Sequence, residues 1–137
     1  MPKQFWINLP VKDLNQAQEF YTKLGFSVDG QQGNGDYVKL TVGEHGIVVM
    51  LFPESTFQSF IKHKVSDAMQ AGEVLFSIDA ECREEVDEMA RRVEMAGGDV
   101  FAVPGENQGW MYGCGFADLD GHRWNVLYMD FSKVPKG

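Results

Sequence analysis

Basic stretches are missing from this 137-residue chain: 12 Lys and Arg stand against 20 Asp and Glu, giving a formal net charge of −8. That balance excludes a nucleic-acid partner gripped through its phosphates and disfavours an anionic membrane surface. Cysteine is scarce, and Cys82 and Cys114 match neither a disulfide framework nor a zinc-site spacing. Long apolar runs are also missing. The longest, Gly46 to Pro53, has the length of a strand and falls far short of the roughly 18 residues expected of a membrane span. The opening Met-Pro-Lys-Gln-Phe-Trp has neither the positive region nor the apolar stretch of a secretory signal. The expectation is a reducing, cytoplasmic setting with no membrane partner.

What is present is ordinary globular composition. Hydrophobic residues make up 44% and charged residues 23% of the chain, enough apolar content to bury a core and too much for disorder. Phe5, Ile7, Leu9 and Val11 alternate with Trp6, Asn8, Pro10 and Lys12, which predicts a strand with one face buried. Asp13 then stands at an N-cap position with Gln16 three residues on, as in a capping box. Leu14, Ala17, Tyr21 and Leu24 recur at helical spacing before Gly25. Three strands are expected at 26–29, 37–42 and 47–52, with Gly-Asn-Gly-Asp and Gly-Glu-His-Gly as turns. Phe57, Phe60 and Ile61 suit one face of a short helix starting near Glu54, and 62–72 reads as a linker.

The same order then recurs. Val74, Phe76 and Ile78 alternate with Glu73, Leu75, Ser77 and Asp79, predicting a strand. Val86, Met89, Ala90, Val93 and Ala96 form a helical stripe stopped by Gly97-Gly98. Strands are expected at 99–103, 111–117 and 123–129, with Asp118-Leu119-Asp120-Gly121 joining the last two. The chain reads as one α+β domain over 1–137 made of two tandem βαβββ modules, about 1–62 and about 73–131, because one such unit cannot cover both faces of its sheet.

Three stretches carry a family resemblance. FWINLPVKDLNQAQEFYTKLGF (5–26) resembles a strand, a Val-x-Asp-Leu turn and a helix ending Phe-Tyr-x-x-Leu-Gly-Phe; FADLDGHRWNVLYMD (116–130) resembles an Asp-Pro-Asp-Gly hairpin and last strand. SIDAECREEVDEMARRVEMAGGDV (77–100) resembles a second-module helix. Together they are similar to the glyoxalase/bleomycin-resistance/extradiol dioxygenase (vicinal oxygen chelate) superfamily, in its predicted lactoylglutathione-lyase-like branch. The resemblance implies curled mixed sheets around a cup-shaped cavity and a homodimer. It does not fix a reaction, since this fold hosts many chemistries.

Metal-using members of that superfamily offer a His from each module's first strand and a Glu from each last strand. Carried onto this chain, the first His position is Trp6, and the last strand of module one, Ile47 to Phe52, is wholly apolar. The second His position aligns with Glu73, and the final Glu position is Asn125. An indole cannot ligate a divalent metal, so no cofactor is expected, and the resemblance then implies a metal-independent binder of an unidentified small molecule. The alternative is a lactoylglutathione lyase- or dioxygenase-like enzyme, with Glu73 in a catalytic or altered metal-binding role and Asn125 assisting a divalent metal.

The remaining candidates are ligand contacts. Trp6 can stack on a planar ligand or fill the core. If the sheets curl as the resemblance implies, Asn8, Glu73, Ser77, Arg123 and Asn125 converge on one concavity, with an Arg123–Glu73 pair as one way to hold a polar ligand. The loop Pro104 to Gly113 presents Trp110 and Tyr112 between glycines, either as a lid over a ligand or as cover for the core or a dimer contact. His45, His63 and His122 fall in turns and the linker, Cys114 alternates with Tyr112 and Phe116 as a buried thiol, and Cys82 stands near a helix start.

Overall fold

The computed structural model describes residues 1–31 and 36–135, apart from the Gln31 side chain. The Gly-Asn-Gly part of the first expected turn, at 33–35, lies outside the described residues. The chain divides into two compact units, Met1–Asp67 and Ala68–Gly137.

In the first unit, β1 (Trp6–Val11) leads into α1 (Leu14–Lys23), β2 (Ser27–Gln31), β3 (Tyr37–Val42), β4 (Ile47–Pro53) and α2 (Glu54–Ile61). The sheet order is β1-β4-β3-β2, with β1 parallel to β4 and the other pairs antiparallel. The α1 cap forms as its sequence predicts: Asp13 accepts the Gln16 backbone N–H at 3.0 Å, satisfying one of the free donors of the first turn. Ala17, Phe20, Tyr21 and Leu24 bury one helical stripe together with Leu9, Val11, Val38, Leu40, Val49 and Leu51 from three strands. Phe5 departs from the expected alternation. It precedes the first residue paired to β4 and is exposed.

The second unit repeats the plan with β5 (Leu75–Asp79), α3 (Arg83–Met95), β6 (Asp99–Asn107), β7 (Met111–Ala117) and β8 (Arg123–Met129), followed by a short 3-10 turn at Phe131–Lys133. Its order is β5-β8-β7-β6, with β5 parallel to β8. Val86, Ala90 and Val93 of α3 are buried, as are Cys114 and Phe116 of β7 and Trp124 and Val126 of β8. Phe116 and Trp124 stack with ring centroids 6.2 Å apart. The two units therefore realise the α+β reading of two βαβββ modules, each with a four-stranded mixed sheet.

Two boundaries in the second unit differ from expectation. β5 begins at Leu75, so Glu73 and Val74 precede the strand, and both are exposed. β6 runs on through Pro104 and Gly105 to Asn107, which reduces the expected ten-residue loop to Gln108–Trp110. β6 lies at the sheet edge, where a proline need not sacrifice a ladder hydrogen bond, and register shifts on either side of Ala102 absorb the irregularity. Gln108 and Gly109 turn the chain with φ of 58° and 77°.

The Asp118–Gly121 corner is built around a buried carboxylate. Asp118 Oδ1 accepts the backbone N–H groups of Asp120 (3.0 Å) and His122 (2.8 Å). Gly121 has φ 89°, and a Cβ there would lie 2.6 Å from the Met69 nitrogen. Only glycine lets the 68–69 backbone pass so close.

Candidate functional site

In the second unit, α3 covers one face of the sheet, and parity along the strands assigns the rest. Phe116 and Trp124 lie opposite one another on the α3 side, so Gly115, Asn125 and Ser77, which are also directly paired, occupy the face away from α3. The neighbouring rung on that face is Leu75, Arg123, Ala117 and Asp99. Three of the expected ligand contacts, Ser77, Arg123 and Asn125, are thus brought together on adjacent strands.

Arg123 is not paired with Glu73. Its guanidinium lies over the Phe101 ring, 4.4 Å from the centroid, and it has no ion-pair partner among the described residues. Phe101 rests where a side chain on residue 115 would be: a Cβ on Gly115 would fall 2.5 Å from the ring. A glycine on β7 therefore admits an aromatic platform from β6, and the platform carries the arginine. Sequence reading missed Phe101. Its only signal was a place in an edge strand, and the link to Gly115 depends on a register interrupted by bulges.

Tyr112 goes to the other face. It shares the parity of Cys114 and Phe116, and its hydroxyl donates to Asp87 of α3 at 2.6 Å. Arg83 lies over the Tyr112 ring at 4.9 Å and pairs with Glu106. The hydrogen bond to the Asp87 carboxylate, then desolvation, holds the phenol above its ordinary pKa. Cys114, packed beneath α3, is pushed up to about 11 by burial. It is a neutral core thiol at physiological pH. Trp110 sits in the β6–β7 turn beside Phe131, with centroids 6.4 Å apart, and its carbonyl accepts the Asp130 N–H. That contact ties the turn to the segment following β8.

In the first unit, Trp6 and Asn8 occupy the face away from α1, next to Val48 and Met50 of β4. Trp6 is 53% exposed, so it does not fill the core. Lys39 and Asp29 continue the Asn8 rung across β3 and β2.

The donor set does not suit a divalent metal. The four positions that the family resemblance assigns to ligands hold an indole (Trp6), an apolar strand whose residue beside Asn8 is Met50, an exposed carboxylate ahead of its strand (Glu73), and an amide (Asn125). No group of three or more His, Cys, Asp or Glu side chains among the described residues is arranged to hold a metal ion. His45 and His63 are exposed in turn and linker, and the backbone of His122 serves the Asp118 corner.

A family model for the Glyoxalase/Bleomycin resistance protein/Dioxygenase superfamily matches residues 3–126. The chain belongs to that superfamily. Its fold is similar to that of a hypothetical protein from S. aureus, with 34% identity, a TM-score of 0.83, and coverage of 93% of this chain and 94% of that one. A glyoxalase-related enzyme from Fulvimarina pelagi shares the fold at 20% identity and a TM-score of 0.76, over 92% of this chain and 88% of that one. So does the genomically encoded fosfomycin resistance protein FosX of Listeria monocytogenes, at 19% identity and a TM-score of 0.66, over 93% of each chain. Among curated proteins, none matches this chain. No helix of the described residues is long and apolar enough to cross a membrane.

Proposed function

We propose that this superfamily member is a cytoplasmic, homodimeric small-molecule-binding protein that works without the divalent metal used by many of its relatives. The observation that carries the reading is the donor set: an indole, an apolar strand and an amide stand at three of the four ligand positions that the superfamily resemblance assigns. These groups cannot polarise a bound oxygen through a metal, but they suit the contact surface of an organic ligand. Ser77, Trp110, Arg123 and Asn125 of the second unit are the proposed contacts there, and Trp6 and Asn8 are the candidates on the first unit's own sheet. Tyr112 is proposed to act behind them by fixing β7 to α3.

The test is a thermal-shift screen of planar and amphipathic metabolites and antibiotics, run on protein purified without chelator and again after EDTA treatment. Stabilisation by a ligand to the same extent in both samples is the expected result. Stoichiometric zinc, nickel or manganese retained through purification, or metal-dependent turnover of methylglyoxal with glutathione, would overturn the reading and return Glu73 to a catalytic role.

A further inference from the structure

We infer that the ligand is an aryl or similarly flat carboxylic acid, whose carboxylate is received by Arg123, Asn125 and Ser77 on the face of the second sheet away from α3. This inference rests on the metal-independent binding reading and narrows it to one chemical class.

The argument begins with an uncompensated charge. The chain carries a net charge of −8, yet Arg123 has no carboxylate partner among the described residues. The acidic residues nearest in register are Asp99, two strands away on the same rung, and Asp79, at the outer edge of the sheet. Neither is within ion-pair distance of Arg123. Arg123 is half-buried, and Phe101 covers one flat side of its guanidinium. Stacking of this kind occupies the π face and leaves the N–H edge free, and that edge matches a carboxylate with two parallel hydrogen bonds.

The neighbours complete the receiver. Asn125 follows Arg123 by two residues on the same face, and Ser77 is its direct partner on β5. Neither side chain has a hydrogen-bond partner among the described residues. A guanidinium, a carboxamide and a hydroxyl thus stand at neighbouring register positions on one sheet face with donors to spare. Around them are Leu75, which is 55% exposed, Leu127 and the 40% exposed Phe101 ring. Gly115, paired with Asn125, leaves room for the Phe101 ring itself, so the aromatic surface borders the polar group directly.

The experiment uses matched probes on the full chain in EDTA: benzoate and 2-naphthoate against benzamide and 2-naphthamide, measured by calorimetry. The acids are expected to bind at least tenfold more tightly than their amides, since a hydrogen bond to a charged group outweighs a neutral one by about that factor. Arg123→Gln should bring the acids down to the level of the amides, and Arg123→Lys, a point charge without the fork, should recover only part of the loss. In the wild type, where folding is not in question, the Arg123 Nε–Hε resonance should shift with 2-naphthoate and stay put with 2-naphthamide. Equal binding of acids and amides, or an unmoved Arg123 resonance at saturation, overturns the carboxylate assignment and leaves metal-independent binding standing. Acid binding that needs added metal overturns metal independence and leaves the Arg123 result to decide the assignment. No binding by any probe at millimolar concentration overturns the assignment.

Discussion

Gly115→Ala tests the seat of the Arg123 platform directly. The new methyl would lie 2.5 Å from Phe101 Cε1 and 2.6 Å from Cζ, whereas carbon atoms settle at about 3.5–4.0 Å. The ring must therefore retreat by about an ångström or swing away from β7. Forcing extra volume into a packed site costs about 1–3 kcal/mol. The lower half of that range applies, because Phe101 is 40% exposed on an edge strand and has room to move. Loss of the guanidinium stacking adds about 0.5–1 kcal/mol. Gly115 does not have a left-handed φ, so alanine is allowed there and returns about 0.4–1 kcal/mol by restricting the unfolded chain. The net expectation is a destabilisation of about 1–2 kcal/mol. In a Phe101→Ala background the clash is gone, and Gly115→Ala should become neutral or slightly stabilising. A double-mutant cycle in urea, followed by tryptophan fluorescence with m-values compared throughout, should give a coupling of about 2 kcal/mol. If Gly115→Ala costs the same in both backgrounds, to within about 0.5 kcal/mol, Phe101 is not what requires the glycine and the platform argument fails.

Two further expectations concern the α3 side of the same sheet. Tyr112→Phe should lower the urea midpoint at pH 8 by removing the hydrogen bond to Asp87. Because the fold raises the Tyr112 pKa, this contribution is complete below the unfolded value of about 10 and fades as pH rises through the folded one. The gap between wild type and variant should therefore shrink at high pH, and a gap that widens would refute the assignment. Iodoacetamide at pH 8 should label the half-exposed Cys82 in the native protein and spare the buried Cys114, whose thiol is held at about 11. Mass spectrometry after urea treatment should show both labelled, and native labelling of Cys114 would contradict its burial.

Much of the fold was legible because it rests on short-range rules. The alternation of Ile7, Leu9 and Val11 and the Asp13–Gln16 cap are local signals, and both appear in the structure. The strands at 37–42, 111–117 and 123–129 likewise lie where period-two patterning put them. Pro104 and Gly105 misled the reading because their turn-forming tendency is real but yields at a sheet edge, where β6 carries them with shifted register. Tyr112 was assigned to a ligand surface although it shares the parity of the buried Cys114 and Phe116; that parity was the available signal for its helix-facing position. The pairing of Phe101 with Gly115 had no local signal at all. It arises from contact between strands, which no window along one strand can report.

The strand order has a consequence in time as well as in space. In each unit the first strand pairs only with the last: β1 with β4, and β5 with β8. During synthesis, β1 must wait for residues 47–53, and β5 must wait for residues 123–129. The second sheet therefore cannot close until residues 123–129 have been made, because its first strand finds its partner only there. The first sheet waits in the same way, but it can close as soon as residues 47–53 have been made. Vectorial synthesis thus favours a folded first half carrying a still-open second half, with the exposed Leu75 edge unpaired until β8 arrives. Substitutions that slow the closing hairpin at Asp118–Gly121 would lengthen that interval and raise aggregation during synthesis more than they lower the stability of the finished protein.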